Sequence, residues 1–335
     1  MTRFHQALFA ACLLVGAVAV HAQDDKEKIV FATDWKAQAE HGGFYQAVAT
    51  GLYDRYGLDV EIRMGGPGID NQQLLAAGAI DFAMGSNNFF PLNLVQAGAP
   101  TAAVMASFQK DPQILMTHPR EDVDSIADMA GKPIMIGDAS VNTFWAWLKA
   151  KYGFTDDQIR KYTFNMAPFL VDENAIQQGY LSSEPKLVIA EGIDPEVYLL
   201  ADSGYPSYSA LVLVPQEWID TRPEVVQAFV DASIEGWYSY LYGDPGPANE
   251  LIKADNPEMN DETIAYGINA MKEYGIVDSG DTAELGIGAM TDERWEEFFT
   301  LMAEQGIYPT DLDYKAAYDL QFVNKGHGMD MKPAE

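Results

Sequence analysis

The chain has a single cysteine among 335 residues, Cys12, and it lies inside the apolar run near the N-terminus. Past that point no disulfide, zinc–thiolate site or cysteine nucleophile can form. Histidine is nearly as scarce. His5 and His21 fall in the opening segment, which leaves His41, His118 and His327 far apart, with no His-x-His or His-x-x-x-His spacing. No metal site is expected from such a set. Basic residues are few as well: 21 Lys and Arg stand against 50 Asp and Glu, a net charge of −29. That acidity repels nucleic acid and anionic membrane surfaces, so neither is expected as a partner. Its plainer use is to keep an exported protein soluble. The common catalytic signatures are missing too. No Gly-x-Gly-x-x-Gly follows the first strand-like run, and there is no Walker sequence or Gly-x-Ser-x-Gly elbow. Gly65-Gly66-Pro67-Gly68 is glycine-rich, but it lacks a lysine and Pro67 removes a donor, so it reads as a turn. No catalytic residue and no cofactor are expected.

What is present begins with a processing signal. Arg3 and His5 form a short polar start, residues 7–20 are apolar, and Val20-His21-Ala22 offers small residues for cleavage. A secretory peptide over residues 1–22 is expected, with the mature chain starting near Gln23 in the periplasm. The run is too short for a comfortable transmembrane span, and no later segment is long enough for one. Lipid attachment at Cys12 does not fit, because Leu13, Leu14 and Val15 continue the apolar run beyond it.

Strand-like runs recur at 29–33, 60–64, 80–84, 103–107, 114–117, 133–136, 187–190, 198–200 and 210–214. Helical segments at 41–55, 70–77, 88–97, 142–152 and 173–179 lie between them. This alternation predicts an α/β fold with mainly parallel sheets covered by helices. After residue 214 the pattern turns helical, at 223–242, 248–254, 261–274 and 292–305, broken by Gly243-Asp244-Pro245-Gly246-Pro247. Breaker residues at Asp111-Pro112 and at Ser203-Gly204-Tyr205-Pro206-Ser207 suggest that the chain passes twice between two lobes. The expected division is a discontinuous first lobe, 23–110 with 206–335, and a second lobe, 111–205.

Polar and aromatic residues gather where strands end and helices begin. Asp34, Trp35 and Gln38 follow the first strand, with Glu40 and His41 just beyond. Ser86, Asn87 and Asn88 follow the third; Asn142 and Trp145 follow the run at 133–136. Open α/β sheets bind ligands at such strand ends. Two readings stand for each group. Trp35 either packs in a core or walls a ligand site, and Ser86, Asn87 or Ser140 either cap helices or present them to a ligand. Trp145 and Trp147 are two apart and face different sides of one helix; one is expected in the core, and Trp145 nearer the cleft. Glu184, in Gln178-Gly179-Tyr180-Leu181-Ser182-Ser183-Glu184, is read as part of the second lobe's inward loop. An indole with amides and acids around it suits a flat, polar heteroaromatic compound.

Several of these residues follow a known pattern. Asp34, Trp35, His41, Gly43, Tyr45, Gly51, Tyr53 and Gly57-Leu58-Asp59-Val60 resemble the opening of the SsuA/THI5-like (NMT1-type) binding proteins of ABC importers. Leu75-Ala76-Ala77-Gly78-Ala79-Ile80-Asp81-Phe82-Ala83 and Asp128-Met129-Ala130-Gly131-Lys132-Pro133-Ile134 are similar to two further family elements. The resemblance spans about residues 28–215. It implies a two-lobed periplasmic binding protein of type II-like architecture, a monomer serving an inner-membrane ABC permease. The branch with the Asp-Trp opening is typified by carriers of thiamin pyrimidine precursors; relatives take up riboflavin, sulfonates or nitrate. It also implies that Trp35 stacks on a pyrimidine-like ring. The chain departs from that branch where Ala37-Gln38-Ala39-Glu40 replaces Pro-Asn-Thr-Asn. The family includes a pyrimidine synthase as well. Its lysine and histidine positions fall near Gly85 and Phe89, and its iron-binding cysteines have no counterpart here.

Overall fold

A computed structural model describes residues 26–333; the expected secretory peptide at 1–22 lies outside them. Ten strands follow one another: β1 (Glu27–Ala32), β2 (Leu58–Arg63), β3 (Phe82–Asn87), β4 (Thr101–Phe108), β5 (Gln113–Thr117), β6 (Ile134–Ile136), β7 (Ile159–Lys161), β8 (Ile176–Tyr180), β9 (Glu196–Leu199) and β10 (Ser209–Pro215). They form two five-stranded sheets, ordered β2-β1-β3-β10-β4 and β7-β6-β8-β5-β9. Each sheet has one reversed strand. β10 runs antiparallel to β3 and β4, and β5 runs antiparallel to β8 and β9, while β1 is parallel to β2 and β3, and β6 to β7 and β8. The reversed strand is in both cases the one that enters its sheet from the other lobe.

The first lobe's core sits between its sheet and the helices that follow β1 and β10. Phe31 on β1 meets Phe44 of the helix Gly42–Ala49 at a ring separation of 4.7 Å, and Phe229 of the helix Pro223–Tyr242 at 5.2 Å. β2 is an edge strand and alternates accordingly, with Leu58 buried and Asp59, Glu61 and Arg63 facing water. β4 stands at the opposite edge yet is buried along its whole length. Its free side is covered by the helical C-terminal segment, through bridges from Ala103 to Tyr318 and from Ala106 to Gly288, so no open hydrogen-bonding edge is left there.

Two expectations fail in the second lobe. Residues 173–179, expected as a helix, contain β8, an interior strand with Gln177 and Gln178 buried. Residues 187–190, expected as a strand, belong to the helix Glu184–Ala190. The apolar run Leu187-Val188-Ile189 misleads because only Val188 is buried; Leu187 and Ile189 are 46% and 44% exposed. β7, just three residues long, was not expected. In the first lobe, the expected helix 41–55 is two helices, Gly42–Ala49 and Leu52–Arg55, parted by Gly51 in a left-handed conformation (φ 68°).

Candidate functional site

The carboxyl end of β1 delivers Asp34 and Trp35 into a cavity of about 190 Å³ between the two sheets. Glycine permits the approach from behind. A Cβ on Gly65 would lie 2.3 Å from the Thr33 carbonyl oxygen, so the Gly65–Gly68 turn packs directly on the backbone that carries Trp35. Gly65 N–H also donates to Trp35 O at 3.2 Å. The indole is only partly buried, and its ring packs on that of Phe164 from the second lobe, centroids 4.9 Å apart and tilted by 48°. Phe164 is 47% exposed and holds φ at +60°, a conformation rare for an aromatic residue.

A chain of polar contacts fixes Asp34. Ser86 at the end of β3 donates its hydroxyl to Asp34 Oδ2 at 2.6 Å, and His41 Nε2 lies 3.3 Å from Asp34 Oδ1. Gln38 N–H donates to His41 Nδ1 at 3.3 Å. The proton of a neutral imidazole therefore sits on Nε2, directed at Asp34. Glu40 and Ser182 close the site from the two lobes, the Ser182 hydroxyl donating to Glu40 Oε1 at 2.5 Å. Glu184 opens the helix Glu184–Ala190. Its Oε2 accepts Tyr180 N–H at 2.8 Å and its Oε1 the Tyr162 hydroxyl at 3.2 Å. Burial pushes the Glu184 carboxyl above its ordinary range, against the opposing pull of the Tyr180 N–H.

Eight of the expected site residues line this cavity: Asp34, Trp35, Gln38, Glu40, His41, Ser86, Asn87 and Glu184. Asn87 lines the cavity and also caps the helix Phe89–Gln96, its Oδ1 accepting Phe89 N–H at 3.2 Å. Three do not line it. Trp145 is fully buried against Phe154 and donates its indole N–H to Asp156 at 3.1 Å, so both Trp145 and Trp147 belong to the second lobe's core. The helix there starts at Phe144 rather than Asn142; the turn Asp138–Asn142 ahead of it leaves Asn142 in solvent, and Thr143 and Ser140 line the cavity instead. Asn88 is wholly buried behind the cavity wall, where its backbone N–H donates to Ser207 Oγ at 3.2 Å. The two positions near the synthase's lysine and histidine are filled by packing. A Cβ on Gly85 would already stand 2.9 Å from Leu213, and Phe89 is buried edge-on to Phe298.

Sequence reading missed Gln113, Phe164, Gln178 and Tyr180, all from the second lobe. Gln178 fell in the segment read as a helix, and Tyr180 in the stretch read as an inward loop from which Glu184 alone was chosen. Gln178 accepts Gly137 N–H at 2.7 Å, and the Tyr180 hydroxyl lies 3.5 Å from Ser209 Oγ on β10. The charged residues on the cavity wall are therefore Asp34, Glu40 and Glu184, with no lysine or arginine among them. Such a surface accepts hydrogen bonds and repels anions. Among the described residues no group of three or more His, Cys, Asp or Glu could hold a metal ion, and no helix is long and apolar enough to cross a membrane.

Two sheets joined by two crossovers, with a walled gap between them, define the periplasmic binding protein fold. The aliphatic sulphonate binding protein SsuA of Escherichia coli has the same fold, with a TM-score of 0.66 at 14% identity over 88% of this chain and 92% of that one. The NMT1/THI5-like family model matches residues 38–248, and the chain belongs to that family. Among its relatives, the formylaminopyrimidine-binding protein of Halalkalibacterium halodurans is 26% identical over 87% of this chain and 89% of its own length. The riboflavin-binding protein RibY of Chloroflexus aurantiacus is 24% identical over 92% and 90%.

Proposed function

We propose that this protein is the exported solute-binding component of an ABC importer, and that it captures a small, planar, nitrogen-rich heteroaromatic solute of the thiamin-pyrimidine kind between its lobes. The observation that carries this reading is the aromatic pair Trp35 and Phe164, in contact with one another in the wall of a cavity whose charged groups are carboxylates. A flat ring stacks on the aromatic surface this pair offers to the cavity, and its amino groups and ring N–H find acceptors at Asp34, Glu40 and Glu184. Neither a sulfonate nor a nitrate suits a wall with three acids and no cation. A cavity of about 190 Å³ favours one ring over the three fused rings of a flavin. Binding of this kind needs no catalytic group, and the site residues are assigned to recognition: Trp35 to stacking, and Asp34, Gln38, Asn87 and Glu184 to polar contacts. His41 orients Asp34 rather than touching the solute.

Thermal melting with formylaminopyrimidine, riboflavin and an alkanesulfonate tests the reading. Formylaminopyrimidine at about 100 times its dissociation constant stabilises by roughly 2.7 kcal/mol, visible as a clear upward shift in Tm. The sulfonate leaves Tm unchanged. Stabilisation by riboflavin alone would move the assignment to flavins, and stabilisation by the sulfonate alone would overturn it.

A further inference from the structure

We infer that Arg294 is a positioning residue for lobe closure, a clamp that holds the two crossovers in register from outside the cavity. This rests on the reading of the protein as a solute trap that opens and closes. The crossovers are the segments 109–112 and 200–208. Arg294 stands in the first turn of the helix Asp292–Glu304, in the C-terminal segment. Its guanidinium donates to the Gln109 carbonyl on the first crossover and to the carbonyls of Pro206 (3.2 Å) and Ser207 (3.3 Å) on the second. It also lies over the Tyr208 ring, its Cζ 4.0 Å from the centroid. The planar fork of five donors on one delocalised charge is what lets a single side chain reach both strands at once.

The surroundings tie the same helix end to both crossovers again. The Tyr208 hydroxyl accepts Thr291 N–H at 3.0 Å, and Gln109 donates its side-chain amide to Ala289 O at 2.8 Å. The backbone N–H of Gln109 reaches Ile276 O at 2.7 Å. The C-terminal segment therefore houses the hinge, and the guanidinium bridges its two strands. Fixing the carbonyls of residues 109, 206 and 207 leaves the bend to the residues on the second lobe's side of them. A hinge pinned at one end has fewer open arrangements to sample, which favours the closed state that solute contacts then hold. Arg294 does not line the cavity, so its effect on binding comes through closure.

The test measures interlobe distance directly. Cys12→Ser with Ala76→Cys and Glu173→Cys leaves one thiol on each lobe for spin labels, because Cys12 is the sequence's sole cysteine. Distance distributions are recorded without solute for the otherwise unchanged protein, for Arg294→Lys and for Arg294→Gln, in parallel with Tm and with the dissociation rate of formylaminopyrimidine. The clamp predicts a broader, longer distribution in both variants, more so in Arg294→Gln, and dissociation faster by about fivefold or more. Lysine keeps the charge but not the fork, so Arg294→Lys carries the test even where Arg294→Gln folds poorly. Unchanged distances and dissociation rate in Arg294→Lys, whatever its Tm, would overturn the inference. The distance measurement needs no solute, so it decides the role of Arg294 even if formylaminopyrimidine does not bind.

Discussion

At the scale of single residues, Trp35 and Asp111 give the sharpest predictions. Trp35 is half-buried in the cavity wall and touches Phe164 there, so Trp35→Ala removes a stacking face and little of the core. Formylaminopyrimidine binding is expected to weaken by about 30-fold, near 2 kcal/mol, with the denaturant midpoint almost unmoved; titration calorimetry and urea melts separate the two effects. Asp111 lies in the first crossover, wholly buried, with one oxygen accepting Gln113 N–H at 3.0 Å and the other without a protein partner. Burial, opposed by the Gln113 N–H and aided by the nearby Asp34 charge, raises its carboxyl to about 8. Between its ordinary range near 4 and about 8 the folded state keeps a proton that the unfolded chain has lost, so stability falls as pH rises through that window. Asp111→Asn mimics the protonated form. It is expected to gain stability over the unchanged protein at pH 8.5 by about 1 kcal/mol or more, and to lose that advantage at pH 4.5, as urea melts at the two pH values will show. Asp34 and Trp35 were legible in the sequence as candidates because they follow the first strand, at the strand end where open α/β sheets bind ligands. Trp145 was misjudged because spacing tells which residues of a helix face apart and is silent on which face meets the gap.

At the scale of elements, the helix Pro223–Tyr242 crosses the helix Gly42–Ala49 at a pair of glycines. A Cβ on Gly236 would stand 2.2 Å from the Gly43 carbonyl oxygen, and one on Gly43 would meet the Trp237 ring at 2.2 Å. Backbone touches backbone there, and Gly43 follows directly on His41 and Gly42 of the site. Gly236→Ala must push the two helices apart. We expect a loss of about 1–3 kcal/mol in urea melts, together with weaker solute binding as the segment carrying His41 shifts. The long helix was readable from its 3.6-residue period, and most strands from their apolar runs. β8 was not. Its sequence Ile176-Gln177-Gln178-Gly179-Tyr180 has amides where an interior strand usually has aliphatics. Gln178 lines the cavity and accepts the Gly137 N–H, and Gln177 donates to Met166 Sδ, so tertiary partners overrode the local preference that sequence reading relies on.

At the scale of the whole molecule, the lobes touch in this structure. Ser182 reaches Glu40, Phe164 reaches Trp35, and the exposed pair Lys186 and Glu262 bridges the second lobe to the helical segment of the first. The form is closed, and an empty protein in solution is expected to open. Small-angle scattering should show the radius of gyration fall when formylaminopyrimidine is added, and stay unchanged on the same addition to Trp35→Ala at a concentration too low to fill it; an identical radius in both states would show that no closure accompanies binding. The reversed strands have a consequence for how the chain is made. β10 lies between β3 and β4, so the first sheet has a gap at its centre until residue 209 has been synthesised, although its other four strands are finished by residue 108. The second sheet draws all its strands from residues 113–199. A polypeptide emerging N-terminus first thus completes its later lobe before its earlier one, and its leading third stays unable to fold to its final form for most of its time in transit.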